Sequence, residues 1–175
     1  VFFRYTGSPA DLLALRTTED IFFLVARIPK VAWGHEGLAQ IRQLIARDRF
    51  LDTGLRLHGL IARRGGTFRV ISRMSGGRQP YRRIDFQRAV EKALKRRLGR
   101  QWRVIEEGED FEIWANLIGL DFVCGLRLSD AHMRHRGYKQ AHVVASLRPS
   151  VAAGMVWLTD PRPGDVFLDP LCGAG

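Results

Sequence analysis

The residues at the C-terminal end are the ones whose types and spacing could do chemistry. A short apolar run, Asp165-Val166-Phe167-Leu168-Asp169, leads into Pro170-Leu171-Cys172-Gly173-Ala174-Gly175. A strand that ends in an acidic residue and is followed by Gly-x-Gly is how open α/β sheets build a nucleotide cradle. Glycine lets the backbone approach the ligand, and the crevice lies beyond the carboxyl end of the strand. A Gly-x-Gly alone is as readily a turn or a tail.

A second kind of chemistry is electrostatic. The chain of 175 residues carries Lys+Arg 28 against Asp+Glu 18, a net charge of +10. Residues 62–103 hold fourteen basic residues against only Asp85 and Glu91, a net +12. Residues 1–61 carry +2 and residues 104–175 carry −4. One segment therefore holds the whole excess, and arginine dominates it. A planar guanidinium pairs bidentately with phosphate, so the segment reads as a polyanion-facing surface rather than only a solvated face. Its candidate RNA-contacting residues are Arg73, Arg78, Arg82, Arg83, Arg88, Lys92, Lys95 and Arg96. Tyr81 could stack a base or pack into the core.

These groups need elements to position them. Phe86, Ala89, Val90, Ala93 and Leu94 form one apolar stripe, which predicts a helix capped by Asp85 and ending before Gly99. Arg88, Lys92, Lys95 and Arg96 fall largely off that stripe. Phe68 to Arg73 alternates and predicts a strand. Residues 111–117 and 120–128 alternate as well, so a hairpin joined through Ile118-Gly119 is expected. Upstream, Val1 to Arg4 reads as a short strand, and a brief helix follows with Ser8 as N-cap and Pro9 at its first position. Asp20 to Arg27 reads as a strand, His35 to Arg47 as an amphipathic helix, and Leu51 to Ile61 as another helix. This alternation suits a small ferredoxin-like unit. Near the end, Pro149 opens a helix with Val151, Ala152, Met155 and Val156 on its apolar side. Asp165 to Asp169 reads as a strand.

Other chemistries find little support. No run approaches the roughly 18 consecutive apolar residues of a membrane-spanning helix. Cys124 and Cys172 are far apart, and there is no C-x-x-C or paired histidine at ligand spacing, so no metal site is expected. Cys172 has no nearby histidine to activate it. His132 and His135 read as surface or linker residues. The opening Val1-Phe2-Phe3-Arg4 has no signal-peptide layout and no initiator Met. A soluble protein of a reducing, cytoplasmic compartment is expected, with the chain read as a trimmed or partial product.

Asp169-Pro170-Leu171-Cys172-Gly173-Ala174-Gly175 resembles motif I of Rossmann-fold methyltransferases that use S-adenosylmethionine and modify exocyclic amines of bases. Ala174 departs from the hydroxyl residue of the pattern D-P-x-C-G-S/T-G. His135-Arg136-Gly137-Tyr138-Lys139 resembles the segment leaving a THUMP RNA-binding domain. Leu147-Arg148-Pro149-Ser150-Val151-Ala152-Ala153 resembles the helix ahead of the methyltransferase sheet in the same proteins. Together the chain resembles the N-terminal part of a THUMP-domain tRNA guanine-N2-methyltransferase.

The resemblance implies an α+β chain of three parts: a ferredoxin-like domain over 1–62, a THUMP domain over 63–140, and the truncated start of a Rossmann-fold methyltransferase domain over 141–175. It implies S-adenosylmethionine as cofactor of the parent protein, with Asp169, Pro170, Cys172, Gly173 and Gly175 in its pocket. It adds Arg136 and Lys139 to the RNA-contacting residues. The partner it implies is tRNA, by the acceptor stem and 3′ end, or another structured RNA. The Asn/Asp-Pro-Pro-Phe/Tyr string that serves the target amine in this family does not occur here. Nor does the acidic ribose-binding residue expected ~20 residues beyond the glycine loop. The chain by itself is therefore expected to be inactive as a methyltransferase. An rRNA-modifying variant and a non-catalytic RNA-binding module are the alternatives.

Overall fold

In chain order the elements are α1 (Pro9–Leu13), β1 (Phe22–Ile28), α2 (His35–Arg47), α3 (Phe50–Leu57), β2 (Gly66–Ser75), α4 (Arg83–Leu98), β3 (Trp102–Val104), β4 (Phe111–Ile118), β5 (Asp121–Arg127), a 3₁₀ turn (Ala131–Met133) and α5 (Pro149–Thr159). The computed structural model describes residues 1–59, 65–77, 79–139 and 146–172. They fall into two units: Phe22–Leu128, and Val1–Ile21 together with Ser129–Gly175.

Phe22–Leu128 is built on a five-stranded mixed sheet in the order β1-β5-β4-β2-β3. β2 runs parallel to both β3 and β4, whereas β5 runs antiparallel to β4 and β1. Alternation sorts the side chains by face. Phe68, Val70, Phe111, Ile113, Ala115, Leu117, Phe122, Cys124 and Leu126 point to one face and are buried. They join Leu38, Ile41 and Ile45 of α2, Leu51 and Leu55 of α3, and Phe86, Ala89, Val90, Ala93 and Leu94 of α4 in a single core. The opposite face carries Arg69, Arg73, Glu112, Trp114 and Arg127. Gly37 must be glycine, because a Cβ there would lie 2.0 Å from the Ala32 carbonyl oxygen.

α2 and α4 run in the same direction. Near their starts, the Gly34 amide donates to Gln79 Oε1 (3.1 Å). Near their ends, Arg97 Nε donates to the Asp48 carbonyl (3.0 Å) and Arg97 also pairs with Asp52.

Several expectations need correcting. The sheet is continuous across residues 62 and 63, since β1 pairs with β5, so the domain boundary expected there falls inside one unit. A change in composition marked that boundary, and composition is blind to pairing between distant strands. α4 begins at Arg83, and Asp85 acts from its third position, where Oδ2 accepts from the Arg82 amide (3.1 Å). The hairpin turn is Gly119-Leu120, because Ile118 pairs with Asp121. Gly119 takes φ +61°, the left-handed value a two-residue turn needs at its first position. The second upstream helix ends at Leu57. Residues 60 and 61, its expected last turn, lie outside the described residues. Neither Val1–Arg4 nor Asp165–Asp169 is a strand, since no described residue offers either one a ladder.

The other unit has no sheet. Ser8 caps α1 by accepting from the Ala10 amide (3.2 Å), as its sequence suggests. Its two segments are joined by Ile21 N–H to Ser129 Oγ (3.1 Å), by the Asp20–Arg134 ion pair, and by Ser150 Oγ to Glu19 (2.9 Å). α5 leaves Met155, Val156, Trp157 and Leu158 exposed.

Candidate nucleic-acid interface

α4 sorts its side chains by helical period. With Phe86, Ala89, Val90, Ala93 and Leu94 committed to the core, the opposite side receives Arg88, Lys92 and Lys95 at i, i+4 and i+7. Seven residues at ~1.5 Å each spread these cations over about 10 Å of helix. All three are exposed, as is Arg96. Among the described residues none of the four takes part in a hydrogen bond or ion pair. Lys95 and Arg96 also lie in the last turn, where the helix dipole favours cations, so their presence there has a structural reason as well. Arg97 differs, because Asp52 and the Asp48 carbonyl hold its guanidinium.

The remaining candidates separate by environment. Arg82 is exposed and paired loosely with Asp85 (3.4 Å). The amide of Arg82, and then its guanidinium, hold the Asp85 carboxyl below its ordinary value, against a small opposing effect of burial. Arg83 donates to Ser72 Oγ and Gln87 Oε1, both at 3.0 Å, which fixes the start of α4 to β2. Arg73 stands on the opposite face of the sheet with its guanidinium 4.6 Å from the Trp114 ring centre. It does not share a surface with the α4 stripe. Arg78 lies outside the described residues.

Three of the expected RNA contacts are built into the protein instead. Tyr81 is only 7% exposed, its ring lies 6.3 Å from that of His35, and burial pushes its hydroxyl pKa up. It cannot offer a face to a base. Arg136 donates to the Leu15 and Thr18 carbonyls. Lys139 donates to Ser146 Oγ (2.7 Å) and the Leu147 carbonyl (2.9 Å). These donors tie the segments of their unit together, which a reading of local sequence could not reveal.

On the helix-free face, burial works to raise the Glu112 carboxyl. Hydrogen bonds from Trp114 Nε1 and Arg127 outweigh it and hold the group below its ordinary value. Arg127 is thereby committed to the sheet.

Sequence reading missed Trp33. It sits in the β1–α2 loop and is 66% exposed. The available signal was an aromatic residue just before a glycine in a segment opened by Pro29.

The expected cofactor pocket can be tested at Asp169, Pro170 and Cys172. Asp169 Oδ1 accepts from the Leu171 amide (2.9 Å), closing a turn on itself, and Cys172 is exposed. Gly173 and Gly175 lie outside the described residues. The described residues thus form no strand edge and no cradle for a methyl donor, so they do not by themselves fit that group. Among the described residues no cluster of metal-ligating side chains occurs either, and no helix is long and apolar enough to cross a membrane.

A sheet with helices on one side, carrying a cationic helix free of internal partners, defines a class: a mixed α/β module with a surface suited to a polyanion. Residues 136–175 match the family described as UPF0020, RMKL-like, methyltransferase domain. The human tRNA (guanine(6)-N(2))-methyltransferase THUMP3 is 30% identical over 91 residues, which cover 52% of this chain and 17% of that protein. The ribosomal RNA large subunit methyltransferase K/L of Photobacterium profundum is 34% identical over 76 residues, 43% of this chain and 11% of that protein. The crystal structure of TrmN from Thermus thermophilus superimposes with a TM-score of 0.70 at 22% identity, covering 94% of this chain and 44% of that one, which shows a shared fold. The chain is distantly related to THUMP-containing RNA guanine-N2-methyltransferases. It spans about a sixth of the human relative, 17%.

Proposed function

We propose that this chain is the RNA-gripping portion of an S-adenosylmethionine-dependent tRNA guanine-N2-methyltransferase, with the ferredoxin-like and THUMP regions presenting the RNA and the Rossmann-fold domain beginning near residue 141. The observation that carries this reading is the α4 stripe: Arg88, Lys92 and Lys95 project to solvent without an internal counter-charge, in a chain distantly related to RNA methyltransferases. Double-stranded RNA presents phosphates and 2′-hydroxyls across a wide minor groove, so a line of cations on a rigid helix can grip it by shape.

Methyl transfer demands more. The amine and the sulfonium carbon must be aligned, and the amine needs hydrogen-bond acceptors as its lone pair is committed. No described side chain is arranged to do this, which supports assigning catalysis to the parent protein and binding to this chain.

The test is the salt dependence of tRNA binding. Neutralised phosphates release counterions, so the slope of log affinity against log salt reports how many are contacted. R88A/K92A/K95A is expected to bind more weakly and with a flatter slope by filter binding. An unchanged slope removes α4 from the interface. Competition between tRNA and ribosomal RNA fragments decides between the two substrates, the second of which is favoured by the likeness to the Photobacterium protein. The chain alone should transfer no methyl group from S-adenosylmethionine to either.

A further inference from the structure

In unit Phe22–Leu128, three loops meet beyond the carboxyl ends of the parallel strands β2 and β4. They are the β1–α2 loop with Trp33, the β2–α4 loop with Gln79 to Arg82, and the Gly119-Leu120 turn. Backbone hydrogen bonds lock them together. The Val31 amide donates to the Leu120 carbonyl (2.8 Å), and the Gly119 amide donates to the Ser75 carbonyl (2.7 Å). The Ala32 amide donates to Gln40 Oε1 (3.0 Å), and the Gly34 amide donates to Gln79 Oε1 (3.1 Å). Gly34 takes φ 76° and ψ −151°, a conformation essentially confined to glycine. Val31 is buried and anchors the loop from below.

The result is a tryptophan held on a rigid mount yet left in solvent. The other two tryptophans of this unit, Trp102 and Trp114, are buried. Beside the Trp33 loop stand Arg82 and Arg83, since Pro80 contacts Gly34 and Tyr81 faces His35. α2 and α4 also begin here, and their dipoles add a weaker positive field. Those helix starts would not make a site; an exposed indole next to two exposed guanidiniums does. An indole offers a sequence-tolerant stacking surface, and a guanidinium pairs with the phosphate of the same nucleotide.

We infer that Trp33 is a stacking platform for an unpaired nucleotide of the bound RNA, with Arg82 meeting its phosphate. This inference rests on the RNA-binding reading and locates single-stranded RNA at a place distinct from the α4 stripe. A preorganised loop loses little freedom on binding, so the stacking energy is realised nearly in full.

The test uses the whole chain and two RNA hairpins, one blunt and one with a four-nucleotide single-stranded extension, in fluorescence anisotropy. Wild type should bind the extended hairpin more tightly. W33A should lose that advantage, about fivefold to thirtyfold in affinity, while binding the blunt hairpin as wild type does. W33F should keep most of it, and should show less quenching of tryptophan emission by the extended RNA than wild type. R88A/K92A/K95A should weaken both hairpins. Equal binding of the extended hairpin by wild type and W33A overturns the inference, as does an equal loss on both hairpins. Failure of wild type to bind either hairpin sinks the RNA-binding reading itself, and this inference with it.

Discussion

Tyr81 shows how a side chain of one type can hold two opposite roles. In a loop dense with arginines its ring invites a base, yet it is buried and its hydroxyl has no hydrogen-bond partner among the described residues. A buried, unsatisfied hydroxyl is a standing cost. Y81F is therefore expected to leave stability unchanged or raise it by up to about 1 kcal/mol in urea unfolding, and to leave RNA affinity unchanged. Gly37 makes the converse case. Its missing Cβ is what lets α2 approach the Ala32 carbonyl, so G37A should destabilise the unit by about 2 kcal/mol or more, read from the urea midpoint at constant m-value. Neither effect was legible in sequence, because burial and close approach depend on residues far along the chain.

At the scale of elements, α2, α4 and the β4–β5 hairpin were legible because their apolar periods are long and consistent. β3 was not, since three residues carry no period and Trp102–Val104 is a strand only through its pairing with β2. The run Asp165–Asp169 failed in the opposite direction: its apolar pattern suits a strand, but a pattern without a ladder does not make one. The stripe of the candidate site was readable on α4, whereas the Trp33 platform required three loops to be brought together. The start of α4 supplies a pH prediction. The Asp85 carboxyl is held below its ordinary value of 3.8, chiefly by the Arg82 amide. A lowered carboxylate stabilises the fold above its unfolded value and loses that contribution as pH falls through the folded one. Stability should therefore decline below about pH 4 less steeply in D85N than in wild type, measured by thermal unfolding across an acid series.

For the whole molecule, the unit Phe22–Leu128 encloses its own core from β1 to β5. A fragment of residues 22–128 is expected to unfold in a single cooperative urea transition with coincident circular dichroism and fluorescence signals. A broad or probe-dependent transition would show that residues outside it complete the core. The pairing of β1 with β5 has one more consequence. The first strand of the unit waits for the last, with Phe22 opposite Arg127, so the sheet cannot close until nearly all of this stretch has left the ribosome. The cations of α4 are synthesised earlier, on a segment whose footing is still incomplete. A nascent chain would thus expose positive charge before it has a shaped surface, in the most RNA-rich surroundings of the cell, and only the arrival of the final strand would turn indiscriminate attraction into a fixed grip.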